Sequence, residues 1–343
     1  MYCRKVKQTK EVETRYEDLF QFLIDMLISK MKASSTTFDA LYSRTYLGGS
    51  FFDGLKVGSK YQEFDINILF KWKEDDLEVV RLGEDTSKKN FCYLKVKKQI
   101  KSKSKQKIVD TDHYASNPAN YLSPIKMFRL LKSCVDRVLT SQGNTLSYQG
   151  RLYRVTRHEF APVTLKVVSL EDMEPMTFEV DLVPSLELSQ NVLAAYPELQ
   201  NHIASLCEKY GVNRNKRRCM AISLHRADHH KFELDFHDIE RRILYNRGCV
   251  KKVIKLVKFL RDSKGGHFSS LWSHLLKVSC WNEIKHLSNL CIQTSVMHHV
   301  LETPEQYWSN ANLEQCFVDT LRHLLQGLKK DCITDVFFPS VRN

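Results

Sequence analysis

Two stretches decide how this chain folds: Gly48-Gly49-Ser50-Phe51-Phe52 and, thirteen residues beyond the serine, Glu63-Phe64-Asp65-Ile66-Asn67-Ile68-Leu69-Phe70. The second alternates polar and apolar residues, and in a strand successive side chains point to opposite faces. Glu63, Asp65 and Asn67 therefore share one side, while Phe64, Ile66 and Ile68 enter the core. An isolated Glu-x-Asp pair is ordinarily the solvated face of a half-exposed strand. The glycines change that reading, because a tight glycine turn exposes backbone N–H groups that can hold a triphosphate, and the Ser50 hydroxyl adds a donor. A later run, Thr177 to Val183 closed by Pro184, sets Phe178, Val180 and Leu182 on one face and Glu179 and Asp181 on the other. If the two strands are neighbours, Glu63, Asp65 and Asp181 converge. Such oxygen ligands suit two Mg²⁺ (or Mn²⁺) ions, one lowering the pKa of an attacking hydroxyl and one steadying the leaving pyrophosphate.

Around these strands the pattern is helical at both ends. From Tyr16, apolar residues recur at Leu19, Phe20, Leu23, Met26, Leu27 and Met31, with Arg15, Lys30 and Lys32 off the stripe. Lys88 to Lys107 holds nine lysines and no acid, and reads as a strand running into a loop over Lys101 to Lys107. Helical spacing returns from Tyr121 to Leu139, a strand is expected over Val163 to Val168, and from about Leu186 the pattern is mostly helical. Val253, Ile254, Val257 and Leu260 form one inward stripe, and Leu313, Cys316, Phe317, Thr320, Leu321, Leu324, Leu325 and Leu328 form another. Strands first and helices later imply an α+β lobe followed by a helical lobe.

Composition excludes several classes. The 343 residues, 43% hydrophobic with only 12 Gly and 8 Pro, are globular rather than disordered or low-complexity. Met1 to Lys10 has no apolar core and no run of about 18 apolar residues occurs, so a soluble, cytoplasmic protein without a membrane partner is expected. Ten cysteines without a Cys-x-x-Cys pair fit reduced thiols better than a disulfide framework or structural zinc. His225, His229, His230 and His237 lack a cysteine or carboxylate at paired spacing, which argues against metal ligation. The net charge of +12 favours a polyanionic partner.

Gly-Ser followed at this distance by Glu-x-Asp, and much later by a third Asp, resembles the polymerase-beta-like nucleotidyltransferases. Gly49-Ser50-Phe51-Phe52, Glu63-Phe64-Asp65, Ala161-Pro162-Val163-Thr164-Leu165 and Val180-Asp181-Leu182-Val183-Pro184 resemble the cyclic GMP-AMP synthase branch. The likeness continues through Phe236-His237-Asp238-Ile239-Glu240, Val253-Ile254-Lys255-Leu256-Val257-Lys258 and Cys316-Phe317 to Phe337-Phe338-Pro339. The resemblance implies a bilobed fold: a mixed-sheet catalytic lobe over residues 1–185 with a spine helix at 14–32, and a helical lobe over 186–343. It implies that Glu63, Asp65 and Asp181 hold the metals, that Gly49 and Ser50 touch phosphates, that Lys258 neutralises a triphosphate, and that Glu240 lies at the nucleotide. The family's base-contacting Arg falls on Glu233. One register puts the base-stacking position at Leu271 and another at Ser273-His274, where a histidine ring can still stack.

The family's vertebrate DNA sensor carries a zinc thumb before its basic helix, whereas here Asn246-Arg247-Gly248-Cys249-Val250 runs straight on. That resembles the thumbless animal cGAS-like receptors, many of which respond to double-stranded RNA. Lys251, Lys255 and Lys258 lie on one helix face. With Arg15, Lys30 and Lys252 they suggest a phosphate-backbone footprint, and A-form RNA is read by shape. The resemblance thus implies an RNA-activated synthase that makes a cyclic dinucleotide such as cyclic GMP-AMP from ATP and GTP in innate antiviral defence, with oligomers on nucleic acid possible. Two competing readings are a catalytically silent relative acting in nucleic-acid binding or development, and a linear oligoadenylate synthase. The intact acid triad stands against the first and the match through the last helices against the second.

Overall fold

The computed structural model describes residues 10–57, 62–82, 90–112, 119–159, 163–171, 176–188, 195–212, 219–223, 231–245, 247–262, 287–329, 333 and 336–337. The chain runs through α1 (Lys10–Ser34), a short helix (Thr36–Leu41), β1 (Tyr42–Gly48), one helical turn (Gly49–Phe52), β2 (Gln62–Phe70), β3 (Leu77–Arg81), β4 (Phe91–Val96), a second turn (Lys103–Gln106), β5 (Val109–Asp112) and β6 (Ala119–Leu122). Then come α2 (Pro124–Ser141), β7 (Thr145–Tyr148), β8 (Arg151–Arg157), β9 (Thr164–Ser169), β10 (Thr177–Leu188), α3 (Pro197–Lys209), β11 (Cys219–Ser223) and β12 (Phe232–Asp235). The described chain closes with α4 (His237–Leu244), α5 (Val250–Asp262), α6 (Asn289–Glu302) and α7 (Leu313–Lys329). The fold is α+β.

The N-terminal stripe makes α1, whose Leu19, Phe20, Leu23, Ile24, Leu27 and Met31 are all buried. They land on the apolar side of β2 and β10: the Phe20 and Phe64 rings stack at 4.3 Å, and Tyr16 meets Phe178 edge-on at 6.1 Å. Burying one such ring stabilises the fold by about 2 to 3 kcal/mol relative to leaving it in water. The helix stops where Ser35 becomes extended and its hydroxyl accepts from Phe38 N at 3.2 Å, starting the next helix.

All twelve described strands join one sheet, and β10 organises it. Along one edge β10 runs parallel to β2, from Phe178 opposite Gln62 to Leu186 opposite Phe70, and β2 in turn carries β1. Along the other edge it pairs antiparallel with β9 up to Asp181, then with β11 from Ser185 onward. The sequence pattern closes this strand at Pro184, yet it continues to Leu188. Leu182 N still donates to Val163 O at 3.1 Å. Pro184 points the same way two residues later, so its missing N–H falls at the handover between partners, where no ladder bond is required.

Three further differences have local causes. Tyr121 and Leu122 belong to β6 rather than to the following helix, because Ser123 caps α2, accepting from Lys126 N at 3.4 Å, and Pro124 opens it. The Lys101 to Lys107 loop contains a helical turn capped by Ser102, and Lys105 Nζ lies 4.4 Å over the Trp72 ring. After Leu186, β11 and β12 return to the sheet, where β12 joins β4.

The last helices bury the stripes expected of them, including Val253, Ile254 and Val257 of α5 and Cys316, Leu321 and Leu324 of α7. The turn into α5 is tightly held: Cys249 N donates to Trp308 O at 2.9 Å, and a Cβ on Gly248 would stand 2.1 Å from that oxygen. The described cysteines are free thiols. Among the described residues no helix is long and apolar enough to cross a membrane.

Candidate active site

The parallel register of β2 and β10 sets Glu63 opposite Glu179 and Asp65 opposite Asp181. Alternation turns all four toward the face away from α1, since Phe64, Ile66, Phe178, Val180 and Leu182 occupy the other. Glu63, Asp65 and Asp181 each bring a carboxylate oxygen within 4.8 Å of the others. Thr164 of β9 donates its hydroxyl to Asp181 Oδ1 and orients that carboxylate. Beside it, His158 Nε2 lies 3.2 Å from Glu179 Oε1.

Gly49 closes the site from above. Its φ is +76°, and a Cβ built there would sit 1.8 Å from Asp65 Oδ2, so glycine is needed for both backbone and space. Ser50 follows, half-buried, in the turn that ends at Asp53.

Burial, with repulsion from neighbouring carboxylates, raises the affinity of all three acids for protons. Burial raises Glu63, Asp181 adds to it, and Lys56 partly offsets both. Asp65 is pushed up to about 6 by burial and by the charges of Glu63 and Asp181. Burial likewise raises Asp181, against the Thr164 hydrogen bond. A set of three carboxylates short of positive charge is what a hard divalent cation fits, and these residues can hold one. Lys56, to which the sequence pattern assigns no role, is half-buried and drawn down to about 8 by burial, against the attraction of Glu63 and Asp65. Lys258 of α5 is buried and is also drawn to about 8, by burial first and then by Arg261. It faces inward, apart from the outer basic face, within electrostatic reach of Lys56 and Asp53.

A second cluster adjoins the first. Asp235, His237 and Glu240 also bring ligand atoms within 4.8 Å of one another. Here the neighbouring acids favour a protonated imidazole. Burial disfavours protonation of His237, but Asp53, Asp235 and Glu240 outweigh it and raise the imidazole to about 9. His237 Nε2 lies 3.2 Å from Asp53 Oδ2, and Nδ1 lies 3.8 Å from Glu240. Glu240 thus joins this cluster rather than the triad. His225, His229 and His230 lie outside the described residues, as do Ser273 and His274.

Of the basic residues, Arg15 and Lys252 are exposed, and Lys30, Lys251 and Lys255 are half-buried. Lys252 Nζ lies 2.7 Å from Asn310 Oδ1. Sequence pattern alone gives no role to Tyr46, Asp53, Lys56, Thr164, His237 or Arg241. Their one legible signal is proximity to Gly49, Asp181 or Glu240 along the chain. Nothing in periodicity shows that Asp53 and Arg241, 188 residues apart, are bonded.

Two family models match successive parts of the chain. Residues 51–246 match the family described as Mab-21 protein nucleotidyltransferase domain, and residues 249–342 match the Mab-21 protein HhH/H2TH-like domain. The chain is 25% identical over 308 residues to cyclic GMP-AMP synthase-like receptor 1 of Drosophila erecta, covering 89% of this chain and 62% of that protein. It is 26% identical over 339 residues to the cyclic GMP-AMP synthase-like receptor of Trichogramma pretiosum, covering 94% of this chain and 62% of that one. With receptor 1 of Drosophila melanogaster it shares 25% over 328 residues, 94% and 77% of the respective chains. The chain therefore spans about three fifths of the length of the first two relatives.

Proposed function

Because this chain belongs to the Mab-21 nucleotidyltransferase family, we propose that it joins ATP and GTP into a cyclic dinucleotide when double-stranded RNA binds it. The observation that carries the reading is the convergence of Glu63, Asp65 and Asp181 beneath Gly49. Similarity along most of the chain to cyclic GMP-AMP synthase-like receptors supports the choice of product class.

Glu63, Asp65 and Asp181 would hold Mg²⁺ or Mn²⁺, which when bound supplies charge neutralisation for in-line transfer and acidifies the attacking hydroxyl. The chain's own residues do the positioning. Gly49 lets the turn approach Asp65 more closely than any side chain would allow, bringing its backbone to where phosphates would lie, and Ser50 offers a hydroxyl donor. Lys56 and Lys258, held in a partly dry site, place positive charge where a triphosphate would bring negative charge. Thr164 fixes the rotamer of Asp181. Glu240, beside His237, borders the nucleotide, and Ser273 or His274 would stack on a base.

Arg15, Lys30, Lys251, Lys252 and Lys255 serve as phosphate contacts for the activating duplex. Such contacts give affinity without reading sequence, which fits a sensor of duplex form in the cytoplasm. The test is incubation of purified protein with ATP, GTP, Mg²⁺ or Mn²⁺ and either duplex RNA or duplex DNA, with mass identification of the product. A cyclic dinucleotide formed only with RNA supports the whole reading. Turnover with DNA alone would overturn the choice of activator, and no nucleotide conversion under any condition would leave a silent binding protein.

A further inference from the structure

The turn that carries Gly49 and Ser50 is gripped from outside the catalytic sheet. Arg241, on α4, spends its whole guanidinium on it: Nε donates to Asp53 Oδ1 at 2.6 Å, one terminal nitrogen to Leu47 O at 2.6 Å and the other to the Tyr46 hydroxyl at 3.2 Å. Its carbon lies 5.2 Å over the Tyr46 ring. The Tyr46 hydroxyl donates onward to Asp238 Oδ1 at 2.8 Å, so the strand before the turn is tied to the same helix twice. Asp53, at the far end of the turn, is only 6% exposed. A carboxylate this buried must be paired, and Arg241 and His237 are the cations that pair it.

We propose, on the reading of the site given above, that Arg241 is a positioning residue that sets the height of the Gly49-Ser50 turn over Asp65 by holding Leu47 and Asp53, the two ends of that turn. Its hydrogen bonds go to Tyr46, Leu47 and Asp53, not to the carboxylates of the triad. Its three acceptors lie against three different guanidinium nitrogens, so the single nitrogen of a lysine cannot span them all in the same geometry. The turn itself has almost no slack, because Gly49 approaches Asp65 within the space of a single methyl group. A displacement of about 1 Å at such a point can cost on the order of 100-fold in rate. Gly54, next to Asp53, lies under α5, where a Cβ would stand 3.7 Å from Lys251 Nζ. The turn therefore sits between α4 and α5.

Three variants are compared with the parent: Arg241→Ala, Arg241→Lys and Asp53→Asn. Amide hydrogen exchange over residues 46–57 reads the turn without any reaction, and steady-state kinetics with duplex, ATP and GTP read its consequence. Arg241→Ala is expected to speed exchange in that segment alone, to lower kcat roughly 100-fold and to leave duplex affinity unchanged. Arg241→Lys should recover part of both, and Asp53→Asn should resemble the alanine variant in exchange. Unchanged exchange over 46–57 in Arg241→Ala, or exchange raised equally throughout the protein, overturns the proposal. So does parent-like kcat alongside altered exchange. If the parent itself converts no nucleotide, the reading of the site fails, while the exchange arm still decides whether Arg241 holds the turn.

Discussion

The two clusters at the heart of this molecule have similar geometry and opposite electrostatics. Glu63, Asp65 and Asp181 form three acids with every proton affinity raised, whereas in the second cluster Asp53, Asp235 and Glu240 surround the His237 imidazole, raised to about 9. The first can hold a cation from outside, and in the second the acids favour a protonated histidine of the chain itself. Three donor atoms within 4.8 Å are thus an insufficient criterion for a metal site: the shifts are upward in both clusters, but in the first they mark carboxylates whose charge is disfavoured and in the second an imidazole whose charge is favoured.

The largest expected effect breaks the first cluster. Asp65→Asn or Asp181→Asn should abolish turnover, at least about a thousandfold, because loss of a metal-holding carboxylate removes several kcal/mol of transition-state stabilisation. Duplex affinity should stay near that of the parent, since the basic residues are untouched. Rate assays beside duplex titrations check this, and full activity in either variant would sink the mechanism. Next in size, Gly49→Ala drives a methyl into Asp65 and strains a positive φ, and should lower kcat by about 100-fold. A parent-like rate would show that the turn can lift without consequence.

The comparison also shows what sequence reveals. The triad is legible because alternation in β2 and β10 fixes faces, and the glycine turn fixes which face matters. Arg241 and Asp53 are not legible, since each sits in a segment whose local pattern is satisfied without the other and only the three-dimensional fold brings them together. The extension of β10 past Pro184 escapes the sequence for a related reason: proline stops a strand only where its N–H is needed, and that depends on the partners of β10.

A third effect sharpens the electrostatic contrast through pH. A histidine raised from 6.5 to about 9 stabilises the fold fully below pH 6.5, and that contribution is lost as pH climbs through 9. Asp65 gives a slope of the same sign in a lower window: raised from 3.8 to about 6, its ionisation penalises the metal-free fold, and that penalty builds up as pH rises from about 4 through 6. His237→Asn should therefore flatten stability between pH 6.5 and 9 by on the order of 1 to 3 kcal/mol, and Asp65→Asn should flatten it between pH 4 and 6. Urea melts across pH measure both. Identical pH profiles for parent and His237→Asn would mean that the second cluster holds no buried cation.

The smallest effect lies outside both clusters and tests their independence from the basic face. Lys255 is half-buried on α5, one turn before Lys258, which the fold turns inward toward the site. If Lys255 meets phosphate, its binding is mostly counterion release, and removing one phosphate-bound cation lowers the slope of log affinity against log salt by roughly one. Lys255→Glu should weaken duplex RNA binding by about tenfold at moderate salt and flatten that slope. The pH profiles of both clusters should be unchanged, because screening by salt keeps an outer charge from acting far within. Lys258→Glu provides the contrast: the inward lysine should impair turnover more than duplex affinity. Filter binding across a series of salt concentrations decides between them, and a slope identical to the parent's in Lys255→Glu would reduce this part of α5 to an ordinary solvated face.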